Sequence, residues 1–502
     1  MIADALSSPQ AWSAVAVVVA ATLLLRPQKE PFPTINKYSG DLLNKKAYAE
    51  AQNNARGLVR QGLEKHNNQP FAIAIPHGLK IVLPASLGSW VKSKRELDHV
   101  QLVRDDFFSG LPGFESQTVL HSPDEFVKRM ITTKLGQNDS TTATMNASMA
   151  RAFDDLWGGD DATSWHAIDW QKDTMGIIAR AASSVFVGPE LAEDPEWSEL
   201  VQSYVTSYFM ACGDLHKWPV WSRSLVHWFL PNASACRKEL HRARAVIDRV
   251  VRERQEAVDR ANAEGSQPPE YNDALAWSKA APDSSMHPAD IQLALAMAAL
   301  FTTTELFRQV LIDVSRHPEI MEPLRDEVRQ QISAHGTSVA ATSNMVLLDS
   351  VLKESQRLSA GPVVTERAAL KDVALPDGRV IPRGAHIMVD STQLWDSRVY
   401  PDASKFDGHR FLRMREAGDK TSGFVQTSPE FLVFGAGRHI CPGRFFASNE
   451  LKLAMAHALL KYDIMMDEEC SAEPMMNGFF AIVNPMVQLR VRRRTEKVGF
   501  LS

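Results

Sequence analysis

The chain has 502 residues, 44% of them hydrophobic and 23% charged, with 26 glycines, 27 prolines and four cysteines. A composition this close to the globular average excludes a disordered, collagenous or fibrous chain, and four cysteines cannot staple a secreted disulfide scaffold of this length, so a reducing compartment is expected. Lys and Arg total 55 against 60 Asp and Glu, a formal charge of -5, which leaves no global basic field for a nucleic-acid partner.

Residues Ala11 to Leu25 run through Ala, Val and Leu without a charge, with Trp12 at one end and Arg26 and Lys29 just past the other. That core is short of the roughly 20 residues a bilayer-spanning helix needs, but the weakly polar residues from Ala5 bring it close. No small-residue cleavage site follows, since Arg26-Pro27 comes directly after the apolar run, and the flanking positive charges place the body in the cytosol with Asp4 on the far side. The expected organisation is a membrane anchor over 1–26, a stiff linker over 27–40 carrying Pro27, Pro31 and Pro33, and a single globular domain over 41–502.

Within that domain, 3.6-residue periodicity predicts helices near 42–65, 165–186, 236–263, 289–315, 345–358 and 443–461. Alternating apolar and polar residues predict strands over Phe71 to Pro84 and Val373 to Val389, the second interrupted by the turn Pro376-Asp377-Gly378. The stretch from Ala263 to Ser285, rich in Ser, Pro, Asn and Asp, is expected to be a surface loop. A mainly helical fold with small β-sheets follows.

The most informative segment is FVQTSPEFLVFGAGRHICPGRFFASNELKLAMAHALLKYDI, where a glycine-rich turn presents Cys441 just before a helix. Gly435, Gly437 and Gly443 allow tight backbone geometry, and Pro442 suits a first helical turn, so amide groups and the positive end of the helix dipole favour a thiolate at Cys441. A lone thiolate held in this way is a good axial metal ligand. The competing reading of a single cysteine is a small buried hydrophobe.

FGAGRHICPG, running from Phe434 to Gly443, resembles the haem-binding signature of the cytochrome P-450 family. The resemblance implies the cytochrome P-450 fold, a haem b cofactor (iron protoporphyrin IX) and Cys441 as the iron ligand. It further implies His439 at a haem propionate, Arg438 as an additional basic candidate, and Phe434 packed on the proximal porphyrin face, with Gly435 and Gly443 shaping the loop. The family uses its thiolate to push electron density into iron and favour O–O cleavage. Three more segments stand at the family's intervals. Glu354 and Arg357 in DSVLKESQRLS precede the cysteine by 441 − 354 = 87 residues, and FDGHRF places Arg410 between them. The resemblance makes these three a buried charged triad beneath the haem, with a role in folding and haem retention. In AMAALFTTTELFRQVLIDVSRHPEI, Thr302 lies 318 − 302 = 16 residues before Pro318, the register of the family's catalytic threonine, whose hydroxyl relays protons at the oxygen site. The alternative for Thr302, Thr303 and Thr304 is hydrogen bonding back to their own helix.

The chain departs from the family pattern in two places. Phe301 occupies the position before the threonine where the family usually has an acid, and Glu305 stands one turn on. No Trp occurs between Val91 and Leu156, so an early-helix propionate contact is missing, and Arg367 is the basic partner expected instead.

By resemblance the substrate pocket draws on Phe107, Phe108, Phe114, Tyr208, Phe209, Ala298, Phe301, Pro362 to Thr365, Phe479 and Phe480. This mostly apolar set selects a bulky hydrophobic molecule. The segment after Cys441 also resembles fungal members that oxidise terpenoids, including indole-diterpene oxidases, which implies secondary metabolism. The implied electron donor is the NADPH-cytochrome P-450 reductase, with O2 as co-substrate, and the implied location is the endoplasmic reticulum membrane, single-pass, with the catalytic domain facing the cytosol. Arg413, Arg415, Lys420, Arg444 and Lys452 are candidates for docking an acidic reductase. The expected activity is monooxygenation. Its rivals are a haem-thiolate enzyme catalysing desaturation, rearrangement or isomerisation, and a non-catalytic membrane-anchored haem or lipid binder.

Overall fold

Helix starts follow the capping chemistry written in the sequence. The side chains of Asp98, Asn138, Asp169, Asp194 and His287 accept hydrogen bonds from first-turn amides, and Pro195, Pro231, Pro288 and Pro318 open their helices. In the computed structural model, which describes residues 32–41, 43–76, 78–119, 125–136, 138–281, 286–467 and 469–495, these starts organise a mainly helical domain.

In chain order the elements that matter below are α1 (Lys45–Asn53), α2 (Ala55–Lys65), β1 (Phe71–Ile75), β2 (Gly78–Leu83), β3 (Leu97–Asp98), α3 (His99–Asp106), α4 (Phe126–Met130), α5 (Asp139–Trp157), β4 (His166–Ala167), α6 (Trp170–Phe186), α7 (Pro195–His216), α8 (Pro231–Glu264), α9 (Pro288–Arg316), α10 (Pro318–His335), α11 (Val346–Leu358) and β5 (Val363–Ala369). They continue with β6 (Val373–Ala374), β7 (Val380–Ile381), β8 (His386–Asp390), α12 (Arg410–Glu416), α13 (Arg444–Lys461), β9 (Tyr462–Met466), β10 (Met475–Asn477), β11 (Phe480–Ile482) and β12 (Leu489–Arg493). The largest sheet has the order β1-β2-β8-β5-β3, and a second has the order β4-β12-β9. The turn at Pro376-Asp377-Gly378 joins β6 to β7, and Gly378 takes the positive φ of 86° that the turn requires.

The centre of the molecule is α9, which packs against α6, α7, α8, α11, α13 and β9. It is the one helix among the described residues long and apolar enough to cross a membrane, yet 67% of its most apolar window is buried inside the fold. Its apolarity is that of a core helix, most of whose surface is covered by neighbours.

Three expectations change. From Phe32 onward the stretch expected as linker is part of the body. Phe32 is 1% exposed, and Asn36 is fully buried, donating to the carbonyls of Ala47 and Ala74 while its own oxygen accepts from the Ala74 amide. The expected loop over 263–285 holds a short helix, Ala274–Ser278, capped by Asp273 and anchored by buried Ala274 and Leu275. Periodicity also passed over α5, α7 and α10, although α10 buries the regular stripe Ile320, Leu324, Val328 and Ile332. The segment expected as membrane anchor, 1–26, lies outside the described residues.

Candidate functional site

The cysteine loop closes on itself through backbone bonds. The Cys441 amide donates to the Phe434 carbonyl at 2.8 Å, and Arg444 Nη1 donates to the Cys441 carbonyl at 2.8 Å. Gly435 and Gly437 have φ of 75° and 64°, and a Cβ on Gly437 would lie 2.9 Å from Lys92 Cγ, so glycine is required there. Gly443 differs from expectation. Its φ is -85°, and a Cβ would meet nothing closer than Ile131 Cγ2 at 4.0 Å, so the turn itself does not demand glycine. Helix α13 has no capping side chain, and the first amides, of Gly443 and Arg444, hydrogen-bond the Cys441 sulfur. Burial nevertheless pushes the free thiol up, outweighing those amides and the Arg444 charge. The helix end alone therefore does not make the thiolate, whereas metal coordination deprotonates a thiol outright. Phe434 packs edge-on against Phe424 at 5.3 Å, beside the sulfur-bearing loop.

The triad is assembled. Glu354 and Arg357 are both fully buried on α11, joined by two bonds of 2.8 Å, and Arg410 Nε on α12 reaches both Glu354 oxygens at 3.1 Å. The remaining donors find carbonyls: Arg357 Nη1 meets Leu394 and Ala403, and Arg410 Nη1 meets Pro401 at 2.6 Å. The Asp407 amide donates to Glu354 Oε1 at 3.2 Å. A buried charge set satisfied this completely has little capacity left for a ligand and ties α11 to α12 and to the chain around Leu394 to Asp407.

A second charged cluster lacks that completeness. Arg367 on β5 is 4% exposed, forms no ion pair among the described residues, and donates one bond, to the Glu366 carbonyl at 2.6 Å. Burial lowers its pKa to about 10. His439 Nε2 is buried and faces Asp98 Oδ2 at 3.5 Å, and burial lowers the pKa of its ring against the opposing pull of Asp98. Arg438 is placed otherwise than expected. Its guanidinium is 44% exposed, and its Nη2 donates to Asp98 Oδ2 at 2.9 Å and to the Arg95 carbonyl at 2.8 Å. Burial works to raise the Asp98 carboxyl, but the His439 ring, the Gln101 amide and Arg438 hold it well below the usual range. Asp98 and its neighbour His99 carried no motif in the sequence. Only the pairing of β3 with β5 brings them here.

On α9 the mid-helix face is open where the rest of the helix is buried, since Ala298 and Thr302, one turn apart, are exposed. The Thr302 hydroxyl donates to the Ala298 carbonyl at 3.1 Å, the back-bonded state. Phe301 packs on Phe209 of α7 at 5.5 Å, and Phe209 meets Phe107 at 6.2 Å, giving an aromatic row from α9 to the loop after α3. Glu305 does not replace the missing acid. Its Oε1 accepts from Arg308 at 2.6 Å and its Oε2 from the Val483 amide at 2.8 Å. Phe114 and Tyr208 lie with ring centroids 4.6 Å apart and tilted, both without exposure, and Phe108 is buried against His216. Phe480 is 60% exposed on β11. Thr365 is held at φ 57° with its buried hydroxyl unpartnered. Lys452, expected at a docking face, is buried and paired with Asp349 at 2.6 Å.

These features fit a haem. A buried guanidinium with no ion pair among the described residues, an open space over Gly443 and a buried thiol on a loop of positive-φ glycines are compatible with a haem held at Cys441.

Comparisons with known proteins agree. The family model described as Cytochrome P450 matches residues 116–492. The chain is 34% identical to "Cytochrome P450 monooxygenase adrA" of Penicillium rubens, covering 95% of this chain and 94% of that one. It is 36% identical to "Cytochrome P450 monooxygenase hepE" of Aspergillus oryzae, with 88% and 81% covered. A solved structure described as "Crystal structure of cytochrome P450DA heme domain" shares the fold at a TM-score of 0.68 and 16% identity, covering 93% of this chain and 98% of that chain.

Proposed function

The chain belongs to the cytochrome P450 family of haem-dependent monooxygenases, and from that premise we propose that it oxidises a bulky hydrophobic small molecule of terpenoid type in secondary metabolism. The observation that carries the substrate class is the aromatic row Phe107, Phe209 and Phe301 beside the open face of α9. Apolar area supplies affinity there, and few polar groups fix the pose.

In this reading haem b, held by Cys441 with Arg367 and His439 at its propionates, supplies O2 activation. Phe434 shields the sulfur. The Thr302 hydroxyl, once released from the Ala298 carbonyl, would be the group to hold and pass a proton on this face of α9, and Phe301, packed on Phe209, cannot carry one. Electrons come from an NADPH-cytochrome P-450 reductase docking at exposed Arg415 and Lys420, with Arg413 and Arg444 at the rim. Residues 1–26 anchor the domain to the endoplasmic reticulum membrane on its cytosolic side, a role supported by their apolar composition.

The test is turnover of a panel of polycyclic terpenoids with reductase, NADPH and 18O2. The expected product carries one 18O atom. An oxidised or rearranged product without label would replace monooxygenation by desaturation or isomerisation.

A further inference from the structure

The sequence lacks the Trp of an early-helix propionate contact, and on α4 the Lys128 Nζ is taken by Glu125 and by the Arg438 carbonyl. A different residue stands at the same cluster. His99 opens α3 immediately after Asp98, and the pairing of Asp98 with Ala368 sets it against the Glu366–Arg367 segment of β5. Its Nδ1 lies 3.2 Å from the Glu366 carbonyl, so that nitrogen carries a hydrogen and donates. Its ring stands 6.0 Å from the His439 ring, inclined at 60°. No partner for its Nε2 occurs among the described residues.

Four groups able to bear positive charge, His99 of α3, Arg367 of β5 and Arg438 and His439 of the cysteine loop, thus crowd together around Asp98. That carboxylate is already taken by the Gln101 amide and Arg438. In the haem-free chain the crowding is resolved by keeping His99 neutral: burial, then Arg367, lowers its pKa to about 4. A second carboxylate would resolve it the other way, by stabilising these cations.

We propose that His99 Nε2 hydrogen-bonds a haem propionate, standing in for the missing early-helix contact and completing a cradle with Arg367 and His439. With Nδ1 committed to Glu366, Nε2 donates only when His99 holds both ring hydrogens, so the propionate charge and the imidazolium stabilise each other. This rests on the haem reading above and adds a cofactor-positioning residue to it.

His99→Asn and His99→Gln separate the two edges of the ring, because an Asn amide overlays Nδ1 and keeps the Glu366 bond, whereas a Gln amide reaches the Nε2 position. Holoproteins are mixed with excess apomyoglobin and the rate of haem transfer is followed by absorbance, then repeated after loading with haem dimethyl ester, whose propionates are blocked. The expected result is that His99→Asn loses haem about tenfold faster than wild type, His99→Gln stays within about threefold, and the ester abolishes the difference. The proposal is overturned if His99→Asn retains haem like wild type while His99→Gln does not, which would make the Glu366 bond the whole role of His99, or if the difference persists with the ester. Wild-type protein that takes up no haem at all would instead overturn the cofactor reading, and this inference with it.

Discussion

Two charged clusters lie close to the cysteine loop in function but differ in how they are satisfied. Around Glu354, each oxygen meets both arginines, and the spare arginine donors end on carbonyls. Around Arg367 the guanidinium has no ion pair among the described residues, and Asp98 beside it is shared between Arg438 at 2.9 Å and His439 at 3.5 Å. The difference teaches that burial of charge alone does not mark a ligand site. The Glu354 network is closed and almost fully buried, whereas the cluster around Asp98 is partly exposed, with side chains of Asp98 at 15%, His439 at 14% and Arg438 at 44%.

The comparison is broken most severely from the closed side. Glu354→Ala leaves Arg357 and Arg410 as uncompensated buried cations and should cost about 3 to 5 kcal/mol, measured by urea unfolding of haem-free protein, whereas Arg438→Ala, which removes an exposed pair, should cost at most about 1 kcal/mol. Equal costs would erase the distinction. A smaller effect, without loss of fold or haem, is expected at Thr302. Thr302→Ala should keep haem content while raising peroxide formed per NADPH consumed several-fold, and unchanged coupling would remove its proton-relay role. Smallest is the surface: Lys420→Glu should slow reduction by reductase a few-fold at low salt, with the difference gone at high ionic strength. A salt-independent effect would mean that the lysine acts structurally.

The local features were legible in the sequence because they are written in short segments. The Cys441 turn needs positive φ at Gly435 and Gly437, and Glu354 and Arg357 share a helix face at i, i+3, so each pattern reports its own geometry. What stayed hidden depends on long-range packing. Lys452 reads as a surface charge, but α13 is enclosed on nearly all sides and the lysine pairs inward with Asp349. Phe301 reads as a lost acid, and only the approach of α7 shows the ring built into an aromatic row through Phe209. Asp98 and His99 gain meaning once β3 pairs with β5, 270 residues away in the chain from Leu97 − Asp98 to Ala368 − Ala369 at 368 − 98. Phe32 and Asn36, in a proline-rich stretch that suggests a spacer, are fixed by β1.

The central claim is that the Cys441 sulfur holds haem iron. It is tested most directly by the optical spectrum of reduced protein under carbon monoxide, recorded for wild type and for Cys441→Ser. The account predicts the long-wavelength Soret band of thiolate-ligated haem in the wild type and its loss in the variant. The same spectrum from both proteins would contradict it.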